Sequence, residues 1–206
     1  YFKEQSFPQV EISANRETHT INAELEVEET SFMVGLIAIA PDINNPLIKA
    51  IYDDKIKDVK KLVAQGFDVN TQDEGFYSRT ALHVAVSDNK LAFVKLLLDA
   101  GADVNVLDEE GETPLMMIEE ETSEEIIKLL INYGAKLDLQ SKEYKKTALI
   151  NAAMTDNFKA MRILIEAGAD VNLRDADGES ALDIIDNEEI EQLLIAYGAE
   201  QKTTDN

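Results

Sequence analysis

The hexapeptide AGADVN stands at residues 100–105 and again, letter for letter, at 167–172. It is part of a longer beat. Glycines open related peptides at Gly66 (GFDVN), Gly101 (GADVN), Gly134 (GAKLD), Gly168 (GADVN) and Gly198 (GAE), at steps of 35, 33, 34 and 30 residues. A second marker keeps the same time: RTALHVA at 79–85, ETPLMMI at 112–118, KTALINA at 146–152 and ESALDII at 179–185. Its Thr80, Thr113, Thr147 and Ser180 lie 33, 34 and 33 residues apart. Two independent markers on one period define a repeat array. A unit of this length cannot bury its apolar face alone, and stacked neighbours bury it together.

Residues 80–105, TALHVAVSDNKLAFVKLLLDAGADVN, show the plan of one unit. Thr80 is a good N-cap. A short first helix follows from Ala81, the SDN at 87–89 makes a turn, and a second helix runs from Leu91 with Val94, Leu97 and Leu98 at helical spacing. Gly101 ends it, because the residue past the last turn often needs a left-handed backbone. The polar stretch ADVNVLDEEGE suits a hairpin-like loop. These markers resemble those of ankyrin repeats, whose hallmarks are a T-P-L-H near the first helix and a G-A-D-V-N after the second. The resemblance covers about 44–200 and implies a mainly α solenoid of five repeats: 44–70, 71–105, 106–138, 139–172 and 173–200. The first lacks its hairpin half and carries scattered lysines, as an N-terminal cap would. The last has a helix–helix turn about three residues short, as a C-terminal cap would. The tail at 201–206 is polar.

Residues 1–43 do not fit the period. HTINAELEVEE (19–29) and PQVEISA (8–14) alternate apolar and polar side chains and read as strands. A short β-rich extension packed on the first repeat is expected, with a poorly ordered leader as the alternative. The longest apolar run, FMVGLIAIA at 32–40, is too short to span a bilayer. It ends in AIA, yet the acidic ELEVEET before it is wrong for a signal peptide. The chain starts with Tyr1, which is compatible with a removed signal peptide; cytoplasm and bacterial periplasm both fit.

Aromatic residues make up 6% of the chain and there is no Trp, so the core must be aliphatic. The net charge is −22, which repels a phosphate backbone and argues against nucleic-acid binding. It reads either as solubility or as attraction for a basic partner. No cysteine is present, which removes disulfides, thiolate nucleophiles and cysteine metal sites. With two histidines, His19 and His83, no zinc set is evident. By the resemblance, His83 makes a structural hydrogen bond to the hairpin. RDADGES at 174–180 suggests a calcium loop, but Leu173 stands where the first acidic ligand belongs. No catalytic residue, metal or cofactor is expected.

The resemblance implies protein binding through the hairpin tips and the concave face beside the first helices. Carried over by position, the tips include Glu74, Phe76, Tyr77, Glu109, Glu110 and Tyr144, and the concave face Tyr52, Asp53, Ser87, Asp88, Glu120, Glu121 and Met154. Phe76 and Tyr77 lie in the longest loop, TQDEGFYSR (71–79), and either anchor a partner or fold back on a neighbouring helix. EEET at 119–122 is placed at the end of a first helix, either as a solvated face or as an acidic groove for a Lys/Arg-rich surface. The function expected is a non-enzymatic protein-binding module, as a monomer or in a heteromeric complex. A bacterial immunity or self-protection inhibitor that masks a toxin or hydrolase is the alternative. An enzyme with a site involving residues 1–43 is the further one.

Overall fold

The computed structural model describes residues 45–200 apart from Phe76. The strands read into residues 1–43, the tail at 201–206 and the Phe76 side chain lie outside the described residues. Short helices follow one another in pairs: α1 Pro46–Tyr52 and α2 Ile56–Ala64, α3 Ala81–Ser87 and α4 Leu91–Asp99, a 3-10 turn Pro114–Met117 and α5 Glu124–Asn132, α6 Ala148–Met154 and α7 Phe158–Glu166, α8 Ala181–Ile184 and α9 Glu188–Ala196. First helices pack in one layer (α1 on α3, α3 on the 3-10 turn, that turn on α6, α6 on α8) and second helices in another (α2, α4, α5, α7, α9). The core between the layers is aliphatic, with Leu47, Leu82, Leu97, Leu115, Ile127, Leu130, Leu149 and Leu164 fully buried. Among the described residues no β-strand forms, and the loops contain one isolated β-bridge, Gln72 with Thr80.

AGADVN performs two tasks. Gly101 and Gly168 adopt φ of 87° and 92°, and the next N–H, of Ala102 or Ala169, closes the helix on Leu97 or Leu164 C=O at 3.0 Å. The asparagine then joins consecutive repeats. Asn105 Nδ2 donates to Gly134 C=O (3.0 Å) and its Oδ1 accepts from Lys136 N–H (2.8 Å). Asn172 makes the same pair with Gly198 C=O and Glu200 N–H.

His83 is buried in the same service. Its Nε2–H donates to Glu112 C=O in the next repeat (3.1 Å), so Nδ1 is the acceptor facing Thr80 N–H (3.2 Å) and lies 2.8 Å from the Thr80 hydroxyl. The fifth repeat replaces the imidazole by an ion pair. Asp183 accepts from Ser180 N–H and Oγ and from Arg174 (2.7 Å), and Arg174 donates onward to Gly178 C=O. Burial raises the Asp183 pKa, but the hydrogen bonds from Ser180 and Arg174 outweigh it and leave the carboxyl below its ordinary value.

The third repeat departs from the sequence expectation. Residues 119–121 do not end a first helix. The helix stops at Met117 as a single 3-10 turn, and Ile118 is extended. The residue six places after the cap explains this. In two-turn first helices that place holds Ile51, Val86 or Ala153, all buried. In the third repeat it holds Glu119, and in the fifth Asp186; both are exposed, and both first helices are one turn long. A carboxylate cannot be buried there unpaired, so the chain unwinds and carries it to solvent. The adjacent carboxylates, Glu120 and Glu121, would also sit unfavourably at the negative end of a helix.

Candidate interaction surface

The unwound helix leaves a notch of about 370 Å³ between α3 and α6. Buried Met116, Met117 and Ile118 form its floor. Ser87 and Arg79 line one side, and Lys146, Asn151, Thr155 and the half-exposed Met154 the other, so the two cations lie toward the hairpin end and Glu119 at the opposite end. Asn151 Nδ2 fastens the floor by donating to Met116 C=O (3.1 Å). Glu112, half-buried at the hairpin end, has a raised pKa. Burial is the main cause, with the charges of Asp108 and Glu110 adding to it and Arg79 and Lys146 opposing.

Residues 119–122 form a turn at the other end. Thr122 N–H donates to Glu119 C=O (3.0 Å) and Glu119 N–H to Thr122 Oγ1 (2.9 Å). The preceding repeat holds it through Asn89, whose Nδ2 donates to Glu121 C=O (2.7 Å) and whose Oδ1 accepts from Ser123 N–H (2.9 Å). The following repeat holds it through Asn157, whose Nδ2 donates to Glu119 C=O (2.7 Å). Glu119 lines the notch, while Glu120 and Glu121 line an adjoining depression with Asp156, Phe158 and Lys159.

The hairpin tips are tied in a row. Glu109 N–H donates to Tyr77 C=O (2.8 Å), Lys142 N–H to Glu110 C=O (2.8 Å) and Ala176 N–H to Tyr144 C=O (2.9 Å). Tyr77 is half-exposed, with the Arg79 guanidinium 4.8 Å from its ring centre. Tyr144 occupies the matching place two repeats on, with Lys146 Nζ at 5.2 Å. Arg79 also pairs with the buried Asp108 (3.4 Å).

The structure therefore groups the residues singled out by sequence into separate sets. Ser87 and Met154 share the notch. Glu120 and Glu121 sit beside it on the clamped turn. Tyr77, Glu109, Glu110 and Tyr144 line the tips. Tyr52 is half-exposed at the end of α1; burial, and then the Asp88 charge, raise its pKa. Asp53 is paired with Lys55 (2.8 Å), and that hydrogen bond, with the lysine charge, lowers its pKa. Glu74 lies apart, beside Asn45 and Phe67. Sequence reasoning missed Met116, Met117 and Ile118, because apolar residues after a cap read as helix core. The available signal was Glu119, an acid at a core position. Among the described residues no group of three or more His, Asp or Glu is placed to hold a metal ion, and no helix is long and apolar enough to cross a membrane.

A family model described as ankyrin repeats (3 copies) matches residues 47–141 and 117–205. The human palmitoyltransferase ZDHHC17 is 38% identical over 73 residues, which is 35% of this chain and 12% of that protein. Its rat counterpart is 37% identical over the same length. The ankyrin repeat protein FPV031 of fowlpox virus is 32% identical over 182 residues, 84% of this chain and 44% of the viral protein. The chain thus spans less than half the length of these relatives.

Proposed function

The chain belongs to the ankyrin-repeat family, and on that premise we propose that it is a non-enzymatic protein-binding module whose hairpin tips and concave face engage a partner with a basic surface. Ankyrin repeats generally serve protein interaction. The observation that carries the finer reading is the pair Tyr77 and Tyr144. They stand at matching tip positions, half-exposed in a chain poor in aromatics, on either side of the acidic hairpin of Glu109 and Glu110. Large, rigid rings held by a cation of their own loop are the type of side chain that anchors interfaces. Charge supports the basic partner. Residues 106–138 carry ten acids and two bases, whereas 139–172 carry four acids and five bases. Residues 173–200 carry nine acids and one base, so the negative field gathers on the third and fifth repeats and is broken by the fourth.

Photo-crosslinking in the native cell tests this reading. A benzophenone amino acid at position 77, 144 or 154 is expected to give one discrete protein adduct, and at position 133 or 197, which follow second helices, none. Adducts from 133 and 197 alone would reject the tip-and-concave surface. The activity of the captured protein, free and bound, then separates an inhibitor from an adaptor.

A further inference from the structure

We propose that the notch in the third repeat and the 119–121 turn form one docking site for an extended segment of a partner protein, in which an apolar side chain is followed closely by lysine or arginine. The inference rests on the interaction reading above and names the chemistry of its ligand.

The floor of the notch, Met116, Met117 and Ile118, is apolar, and Met154 on its wall is 50% exposed. Methionine adapts its shape to an inserted side chain better than a branched residue does. The turn supplies the charge. Asn89, Asn157 and Thr122 fix its backbone, so the turn that presents the three carboxylates is ordered before anything binds and only side-chain ordering remains to oppose association. Acids of the helix that follows the turn are already neutralised: Glu124 by Lys128 (2.8 Å) and Glu125 by Lys95 (2.6 Å). Among the described residues no such ion pair is made by Glu119, Glu120 or Glu121, and all three are exposed. Glu119 lines the notch itself. With an extended chain advancing about 3.3 Å per residue, an apolar side chain in the notch leaves a basic one two or three places along within reach of the turn. A nucleic acid or an anionic membrane is repelled by the same carboxylates.

A random dodecapeptide phage library selected on the full chain, followed by fluorescence polarisation of labelled synthetic peptides, tests the site. Enriched peptides are expected to share an apolar residue with Lys or Arg shortly after it. Glu119→Gln with Glu120→Gln and Glu121→Gln should weaken their binding about tenfold at low salt, a gap that closes at about 0.5 M salt. Met154→Asp should weaken binding at both salt concentrations. These substitutions lie at exposed positions, and unchanged melting temperatures confirm intact variants. No enrichment, enrichment of peptides without basic residues, or affinities unmoved by both variants overturns the inference. Binding lost instead on Tyr77→Ala with Tyr144→Ala also overturns it, while leaving the interaction reading standing. Failure of that broader reading shows separately, as absence of tip and concave-face adducts in the crosslinking.

Discussion

The second and third repeats start from the same cap geometry and end differently. Thr80 and Thr113 have nearly the same backbone, φ −87° and ψ 166° against φ −94° and ψ 163°. In the second repeat His83 satisfies the threonine hydroxyl and reaches the next hairpin, and two turns of helix follow. In the third, Met116 offers no polar atom, the Thr113 hydroxyl is buried without a partner, and helix persists for one turn. The first helix of the second repeat is scaffold, with Thr80 and His83 turned inward onto each other and the next hairpin. The third has given up part of its scaffold and turns carboxylates outward.

The largest effect should come from removing the histidine. His83→Ala deletes bonds to Thr80 and Glu112, leaves a cavity in a fully buried site and is expected to cost about 3 kcal/mol. The measurement is urea unfolding of the two proteins. Its pH dependence has a defined sign. Burial lowers the His83 pKa below the ordinary 6.5, against the opposing hydrogen bond to Glu112 C=O. The unfolded chain therefore takes up the proton first as pH falls. The histidine's contribution is complete at about pH 7.5 and falls as the pH drops through the unfolded value of 6.5. The stability gap between wild type and His83→Ala should narrow between about pH 7.5 and about pH 5.5. The Glu112 carboxyl, with its raised pKa, acts in the opposite sense but is present in both proteins. A gap that widens on acidification would contradict the neutral, Nε2-protonated ring.

A smaller effect separates two tip glycines. Gly111 and Gly178 share φ of 76°. A Cβ on Gly178 meets nothing within 4 Å, whereas on Gly111 it would lie 2.8 Å from Lys142 Cγ and 3.1 Å from Lys142 N. That nitrogen donates the tip-to-tip bond to Glu110. Gly178→Ala should cost about 1 kcal/mol for the backbone conformation alone, and Gly111→Ala about 2 kcal/mol. Thermal melts of the pair measure the difference. Equal losses would mean that the row of tips contributes no stability.

The period, the caps, the helix-ending glycines and the structural role of His83 were legible because each rests on local chemistry repeated at fixed spacing. The loop tips were legible as positions, but their linkage was not, since Tyr77 to Glu109 and Glu110 to Lys142 are backbone bonds with no side-chain signature. The notch was hidden because family resemblance supplied a helix that residue 119 refuses. Reading the sixth place after each cap (Ile51, Val86, Glu119, Ala153, Asp186) separates the long first helices from the short without any structure.

That rule yields the finest test. Two residues of the third repeat oppose a full first helix. Glu119 would be buried, and Thr122 stands where Asp54, Asn89 and Asp156 take φ of 55°, 53° and 52°, a conformation that β-branched residues avoid. Replacing both, Glu119→Val with Thr122→Asn, supplies the core residue and the turn residue of the second repeat. The first helix should then extend to about residue 120, as α3 does to Ser87, and stability should rise by about 1 kcal/mol. Amide exchange at residues 118–120 should slow, since these N–H groups would gain helical partners. The selected peptides should lose affinity for the same variant, because the added turn fills the notch and withdraws one carboxylate. Glu119→Val alone should do less of each, because Thr122 still resists the left-handed turn. If the double variant keeps fast exchange at 118–120, the acid at the sixth place is not what shortens the helix. The cause would then lie with the unsatisfied cap at Thr113.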